Sequence, residues 1–140
     1  MTISEEILTQ RERVVRAHME AENALDMGVA LDTFGHPRYE IIATCDVYDG
    51  AAAVERYYRE SRAAFPDQRN ELISLRHADD AVIVEFWLLG THKGPLRGIE
   101  ATGREFRCQM TAFFIFEGTN LVCERVYFDT STISRQLASA

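Results

Sequence analysis

The sequence predicts an α+β domain in which a cone-shaped, curved antiparallel sheet of about four to six strands wraps around N-terminal helices. Three observations predict it. The first quarter of the chain repeats apolar residues at helical spacing. From Glu71 onward the chain is almost continuous strand-type sequence broken by short polar turns. The order, helices first and hairpin-linked strands last, places the helices on one face of the sheet.

Taken in order, Ser4 to Thr33 reads as helix, with Val14, Val15, His18, Met19 and Leu25 making one apolar face. Thr2 followed by Glu5 resembles a capping box. Gly28 marks a break, so a short second helix runs from about Met27 to Phe34, and Gly35 and Pro37 end the helical region. Tyr39 to Tyr48, rich in Ile, Val, Thr and Tyr, reads as one strand. Asp49-Gly50 turns the chain, and Asp49 is placed to cap a helix from Ala51 to Phe65. Val54, Tyr57, Tyr58 and Ser61 lie on or near one face of that helix, and Pro66 stops it. Glu71 to His77 and Ala81 to Thr91 flank a tight connection, as do Arg104 to Glu117 and Leu121 to Asp129. Lys93 to Gly103 is a glycine-rich loop, and Ser131 to Ala140 is one turn of helix followed by fraying. Strands longer than the usual ~5–6 residues favour a curled sheet, with a pocket between it and the first helix.

The 140 residues suit one domain spanning 1–140, and 46% hydrophobic with 26% charged residues is ordinary for a globular protein. A net charge of -7 argues against nucleic acid or an anionic membrane as partner. No apolar stretch approaches the ~18 residues of a membrane span. The N-terminus lacks a signal-peptide pattern, and Cys45, Cys108 and Cys123 have no CxxC spacing, so the expectation is a cytoplasmic protein with reduced thiols. HExxH, GxSxG, P-loop and GxGxxG motifs are absent, and His36, His77 and His92 lack metal-site spacing.

A set of motifs narrows the reading: Gly90-Thr91-His92-Lys93-Gly94, Gly98, Thr102-Gly103-Arg104, Phe113 to Phe116, Glu124-Arg125-Val126-Tyr127-Phe128-Asp129 and Gln136-Leu137. In this order, behind a helix-strand-helix front half, they resemble the SnoaL-like polyketide cyclase group of the nuclear-transport-factor-2-like superfamily. The resemblance covers nearly the whole chain. It implies the conical roll and an intramolecular aldol ring closure with no metal or organic cofactor. It implies Asp129 as the acid/base, and a homodimer formed through the outer sheet face. Where a catalytic histidine is expected on the preceding strand, the chain carries Phe113 to Phe116. The superfamily also hosts isomerases, epoxide hydrolases, dehydratases and binding domains, so the fold alone does not fix the reaction.

The candidate site follows. Asp129 ends an apolar-aromatic strand, where a pocket mouth would raise its pKa toward proton transfer; the bland alternative is an Asx turn with Ser131 or Thr132. Tyr127 shares its side-chain parity and would hydrogen-bond a developing enolate. His92, at a strand end before the glycine loop, would act with Asp129 or orient a carbonyl. His36, Tyr39, Gln109 and Trp87 complete the expected lining, with Trp87 equally suited to a dimer contact. Asp46 is a further candidate acid, whereas His18 reads as a satisfied core histidine and His77 as a turn residue. The expected function is a cofactor-free cyclase or isomerase moving a proton α to a carbonyl of a small polyketide- or steroid-like substrate. The alternative is a small-ligand-binding or dimerisation module without chemistry.

Overall fold

The structure, a computed structural model, describes residues 3–138. Thr2 lies outside that range, and the cap of α1 (Glu5–Asn23) is Ser4, whose hydroxyl accepts from the Ile7 amide at 3.3 Å. The helix buries Arg11, Val15, His18, Met19 and Ala21. It ends earlier than Gly28 would suggest. Leu25 takes a left-handed φ of 58°, and Asp26 then caps α2 (Met27–Asp32) by accepting from Val29 N at 3.1 Å.

The single strand expected over Tyr39 to Tyr48 is instead a hairpin of β1 (Arg38–Ile41) and β2 (Asp46–Asp49). A 3-10 turn at Ile42–Thr44 followed by left-handed Cys45 folds the chain back, a reversal that the unbroken β-type composition hides. Gly50, not Asp49, is the N-cap of α3 (Ala51–Ala64), and no side chain caps it. Asp49 is held instead by His36 at 3.1 Å and Arg38 at 3.3 Å. The glycine loop packs on the end of α3: Lys93 N and Gly94 N both donate to the Ala64 carbonyl. A Cβ on Gly94 would lie 2.0 Å from the Ala63 carbonyl oxygen, so this approach requires glycine.

The long strands β3 (Arg69–His77), β4 (Ala81–Thr91), β5 (Glu105–Glu117) and β6 (Asn120–Tyr127) form an antiparallel meander. The full sheet has six strands in the order β2-β1-β6-β5-β4-β3, with free edges at β2 and β3. It is mixed rather than wholly antiparallel, because β1 pairs with β6 in parallel. Alternation along β4 and β5 turns Val82, Val84, Phe86, Phe106, Cys108, Met110, Ala112 and Phe114 toward the helices, where the core lies. Two bulges adjust the register, one beside Ile73 in β3 and one beside Val122 in β6.

The tail forms a longer helix than one turn, α4 (Thr130–Ala138). Leu137 is buried, and the Gln136 side chain pairs with the Arg107 backbone in both directions, at 2.7 and 2.8 Å. These contacts supply the tertiary support that a fraying segment would lack.

Arg11 ties the far ends of the sheet to α1. It is 3% exposed, and its guanidinium donates to Gly118 O at 2.7 Å and Asp79 O at 2.9 Å, one carbonyl from each hairpin connection. Replacing it strands both acceptors. Arg11→Ala is expected to lower stability by about 2–3 kcal/mol, read as a lower urea midpoint at unchanged slope. Arg11→Lys is expected to recover only part of this, because one ammonium lacks the fork that spans two carbonyls.

Candidate active site

The cone floor holds a polar cluster inside the apolar core. His18 is fully buried, and its ring is packed edge-on by Phe34 and Phe114. Its Nδ1 lies 2.8 Å from Thr33 Oγ1, and Thr33 spends its own proton on the Ala30 carbonyl at 2.6 Å. Nδ1 therefore carries hydrogen and donates to Thr33. The other nitrogen, Nε2, faces three oxygens: Tyr39 Oη at 2.7 Å, Glu22 Oε1 at 3.3 Å and Glu124 Oε1 at 3.3 Å. Tyr39 continues the network through a hydrogen bond with the Tyr58 hydroxyl and donates to Glu22 Oε2 at 3.4 Å. Arg62, on the last turn of α3, places Nη2 3.6 Å from Glu22 Oε2.

Local geometry explains how these groups meet. His18 and Glu22 are four residues apart on α1 and so share a face. Tyr58 and Arg62 repeat that spacing on α3. Tyr39 and Glu124 are direct neighbours across the parallel β1–β6 pair. Glu124 turns inward because the bulge beside Val122 shifts the phase of β6: Leu121 pairs with Phe116, whereas Glu124 pairs with Phe114.

Charge in this cluster is set by competition. Burial alone would lower the His18 pKa. The Glu22 charge and the hydrogen bond to Glu124 outweigh it and raise the value from 6.5 to about 10. Burial would raise both carboxyls as well. The His18 and Arg62 charges win at Glu22 and hold it below its ordinary range, whereas burial wins at Glu124 and holds it above. Burial pushes Tyr39 and Tyr58 well above the usual phenol range, so both stay neutral donors. The two carboxyls are thus driven apart around one imidazolium, the pattern that separates an acid from a base.

A cavity of about 50 Å³ adjoins the cluster, lined by Glu22, Tyr39, Tyr57, Arg62, Phe114 and Glu124, with Asn23, Arg69 and Asn70 at its rim. It holds a few waters or the end of a larger molecule, well short of the ~300 Å³ at which ligand pockets usually begin. A second, more apolar hollow of about 480 Å³ lies between the glycine loop and α4, lined by Leu96, Ile99, Ile133 and Leu137. It has no carboxylate or imidazole in its lining. One nitrogen and two carboxylate oxygens from His18, Glu22 and Glu124 lie within 4.8 Å of one another, which a divalent cation would accept. The His18–Tyr39 hydrogen bond and the Arg62 charge beside Glu22 already fill that role, so the arrangement fits a proton better.

Of the residues singled out from the sequence, Tyr39 reaches this cluster, and His18, read as a satisfied core histidine, is buried and bonded at its centre. Asp129 lies outside it. Its carboxylate accepts from the Ser131 amide at 3.0 Å and hydroxyl at 2.8 Å, capping α4, and these bonds hold its pKa down rather than up. Tyr127 is on the outer sheet face, 40% exposed, against Phe113. Gln109 is exposed on that face, and Trp87 lies there beneath the Arg107 guanidinium, 3.8 Å from the ring centroid. His36 is at the surface with Asp49, and Asp46 accepts from Thr44 Oγ1 at 2.7 Å. His92 is buried under the glycine loop, with Nδ1 taking the Thr102 amide proton at 3.3 Å. That loop does not border the small cavity, so it is no lid over it. His77 ends β3 and faces Glu12 at 3.3 Å.

The comparisons agree with this architecture. The sequence profile described as SnoaL-like polyketide cyclase matches residues 12–137. The chain belongs to that family. A structure from Jannaschia sp. CCS1, assigned as a SnoaL-like polyketide cyclase, is similar with a TM-score of 0.83 at 16% identity, over 100% of this chain and 99% of that one. Another from Xanthomonas campestris pv. campestris, assigned as a polyketide cyclase, gives 0.81 at 18% identity over 93% and 98%. A Catenulispora acidiphila protein with a ketosteroid isomerase-like fold, in complex with trimethylamine, gives 0.76 at 17% identity over 88% and 90%. At these identities the likeness establishes the fold. A search of curated proteins finds no match.

In this SnoaL-like chain the buried cluster makes stability depend on pH in a defined direction. The folded His18 pKa lies above its ordinary 6.5, so its contribution is complete below that pH and lost as pH rises through about 10. Glu22 works oppositely, contributing above its ordinary range and losing that contribution as pH falls through its depressed value. Urea unfolding at a series of pH values from 7 to 10.5 is expected to show a loss of roughly 4 kcal/mol from His18. The same series on His18→Gln is expected to decline less, because the buried Cys108 and Cys123 thiols, raised by burial, still favour the unfolded chain above about pH 9.

Proposed function

We propose that this protein catalyses cofactor-free proton transfer at a carbon α to a carbonyl, acting on the end of a small hydrophobic carbonyl compound, polyketide- or steroid-like, that enters the cone. The observation that carries the reading is the His18 imidazolium held between two buried carboxyls of opposite tendency beside a cavity. Glu22, ionised and lining the cavity, takes the α-proton. Glu124, whose pKa burial holds above its ordinary range, is the better placed of the two carboxyls to return a proton, together with His18. The hydroxyl of Tyr39, bonded to His18 and donating to Glu22, holds these two groups in place. Asp129 has no part in the step. Family membership supports carbonyl chemistry of this class.

A binding module without chemistry is the alternative, favoured by one observation: the cluster's groups already satisfy one another around a cavity of only about 50 Å³. Pairing of two copies through the outer sheet face belongs to the same proposal. Trp87, Phe113 and Tyr127 are only partly buried there, and an aromatic face of this kind is suited to a partner. Among the described residues no helix is long and apolar enough to cross a membrane.

Deuterium wash-in tests the chemistry without the native substrate. Acetylacetone and ethyl acetoacetate in D2O are followed by proton NMR with and without protein. The wild type is expected to accelerate α-proton loss above buffer. Glu22→Gln is expected to cut that acceleration by roughly 10²–10⁴-fold, and Asp129→Asn to leave it unchanged. No acceleration by wild type with either compound favours the binding module. Loss of activity in Asp129→Asn, with Glu22→Gln intact, would contradict the proposed roles.

A further inference from the structure

Proton removal α to a carbonyl leaves negative charge on the carbonyl oxygen, and a site for this reaction needs a donor fixed where that charge appears. The neutral hydroxyls of Tyr39 and Tyr58 are already bonded to each other, to His18 and to Glu22. Arg62 is different. It lines the cavity beside Glu22 and Glu124. Its Nη1 donates to Ser61 Oγ at 2.8 Å, its Nη2 lies 3.6 Å from Glu22 Oε2, and its guanidinium stacks 5.2 Å from the Tyr58 ring centroid. The head group is thus held from three sides. Its Nε–H is buried and has no hydrogen-bond partner among the described residues. A buried, unpaired donor on a charged group is costly to keep.

We infer that Arg62 is the oxyanion-binding residue of this site, its Nε–H reserved for the oxygen of an enolate or other small resonance-stabilised oxyanion. The inference rests on the proton-transfer reading above and adds the group that receives the charge. Nε is closed off by its neighbours, so a carbonyl oxygen reaches it only as the side chains around it shift; its α-carbon then lies near Glu22, whose carboxylate stands beside the neighbouring nitrogen of the same guanidinium. The α C–H bond breaks and its proton goes to the Glu22 carboxylate. The C–H electron pair becomes the new C=C bond as the carbonyl π pair moves onto oxygen, against Arg62. The ligand class is set by this chemistry: compounds that can place a delocalised negative oxygen at the end of a narrow cavity, 1,3-dicarbonyl enolates first among them.

Acetylacetone serves as the probe, because its enolate is visible by ultraviolet absorbance and its binding needs no turnover. Titration into wild-type protein at fixed pH is expected to give a bound-enolate signal. Arg62→Met is expected to lose enolate affinity by at least about tenfold, while binding of neutral 2-pentanone stays within about twofold. Arg62→Lys, which keeps the charge and lacks the Nε–H fork, is expected to fall between them. The second readout uses wild type alone: the Arg62 Nε–H resonance, resolved by ¹⁵N labelling, is expected to move on saturation with acetylacetone. This readout decides the matter if Arg62→Met does not fold. A wild type that binds no enolate, an Arg62→Met that binds it as wild type does, equal loss of enolate and 2-pentanone, or an unmoved Nε–H signal overturns the assignment. Wash-in that persists in Arg62→Met removes this role and leaves the reaction standing. Enolate binding without wash-in leaves Arg62 an oxyanion ligand and removes the reaction.

Discussion

Two carboxyls and one imidazole share a volume from which water is largely excluded, and the arrangement of the cone around them follows from that constraint. Unpaired, each buried charge would carry a penalty of several kcal/mol. Together, with Arg62 on Glu22 and Thr33 on the far side of the ring, they offset one another. The helices and sheet are joined here as well as by apolar packing. His18 comes from α1, Thr33 follows α2, Arg62 ends α3, Tyr39 lies on β1 and Glu124 on β6. A shift of any one element by a residue leaves a charge buried without its partner, so the cluster specifies register as well as chemistry.

The bulge in β6 is the second determinant. Simple alternation from Leu121 would send Cys123, Arg125 and Tyr127 inward. The extra residue sends Glu124 and Val126 inward instead, and leaves Arg125 on the outer face, where its guanidinium meets Glu40 at 2.6 Å. One inserted residue therefore decides whether the cone floor carries a carboxylate or a guanidinium. The same displacement puts Tyr127 outside, and Asp129 is left to begin α4.

The architecture was legible because its signals are periodic. Ala81 to Thr91 as β4, the meander and the position of α3 follow from spacing and turn residues in the sequence, whereas the family resemblance rests on the motifs quoted between Gly90 and Leu137. The site was less legible, for physical reasons. His18 was visible on the apolar face of α1, and helical spacing places Glu22 on that face and Arg62 on the face of Tyr58. Such spacing is equally consistent with solvent-facing charges until the packing partner is known. Glu124 stood within the quoted motif, but its direction depends on a bulge that composition does not reveal. Asp129 resembled an acid at a pocket mouth because an Asx cap and a strand-end acid have the same local sequence. The hairpin at Cys45 was hidden for a similar reason: Ile, Val, Thr and Tyr continue through it, and only a left-handed residue marks the turn.

The chemistry of the cluster depends most directly on the protonation state of His18. Labelling the histidine ring nitrogens with ¹⁵N and following them by NMR from pH 6 to pH 11 measures it. The structure predicts a His18 signal doubly protonated at pH 7, one N–H to Thr33 and the other toward Tyr39, Glu22 and Glu124, losing its second proton near pH 10. A neutral ring at pH 7, protonated on Nδ1 alone, would contradict it. The cluster would then be a phenol-to-imidazole hydrogen bond between two carboxyls, not an ion-paired acid–base site.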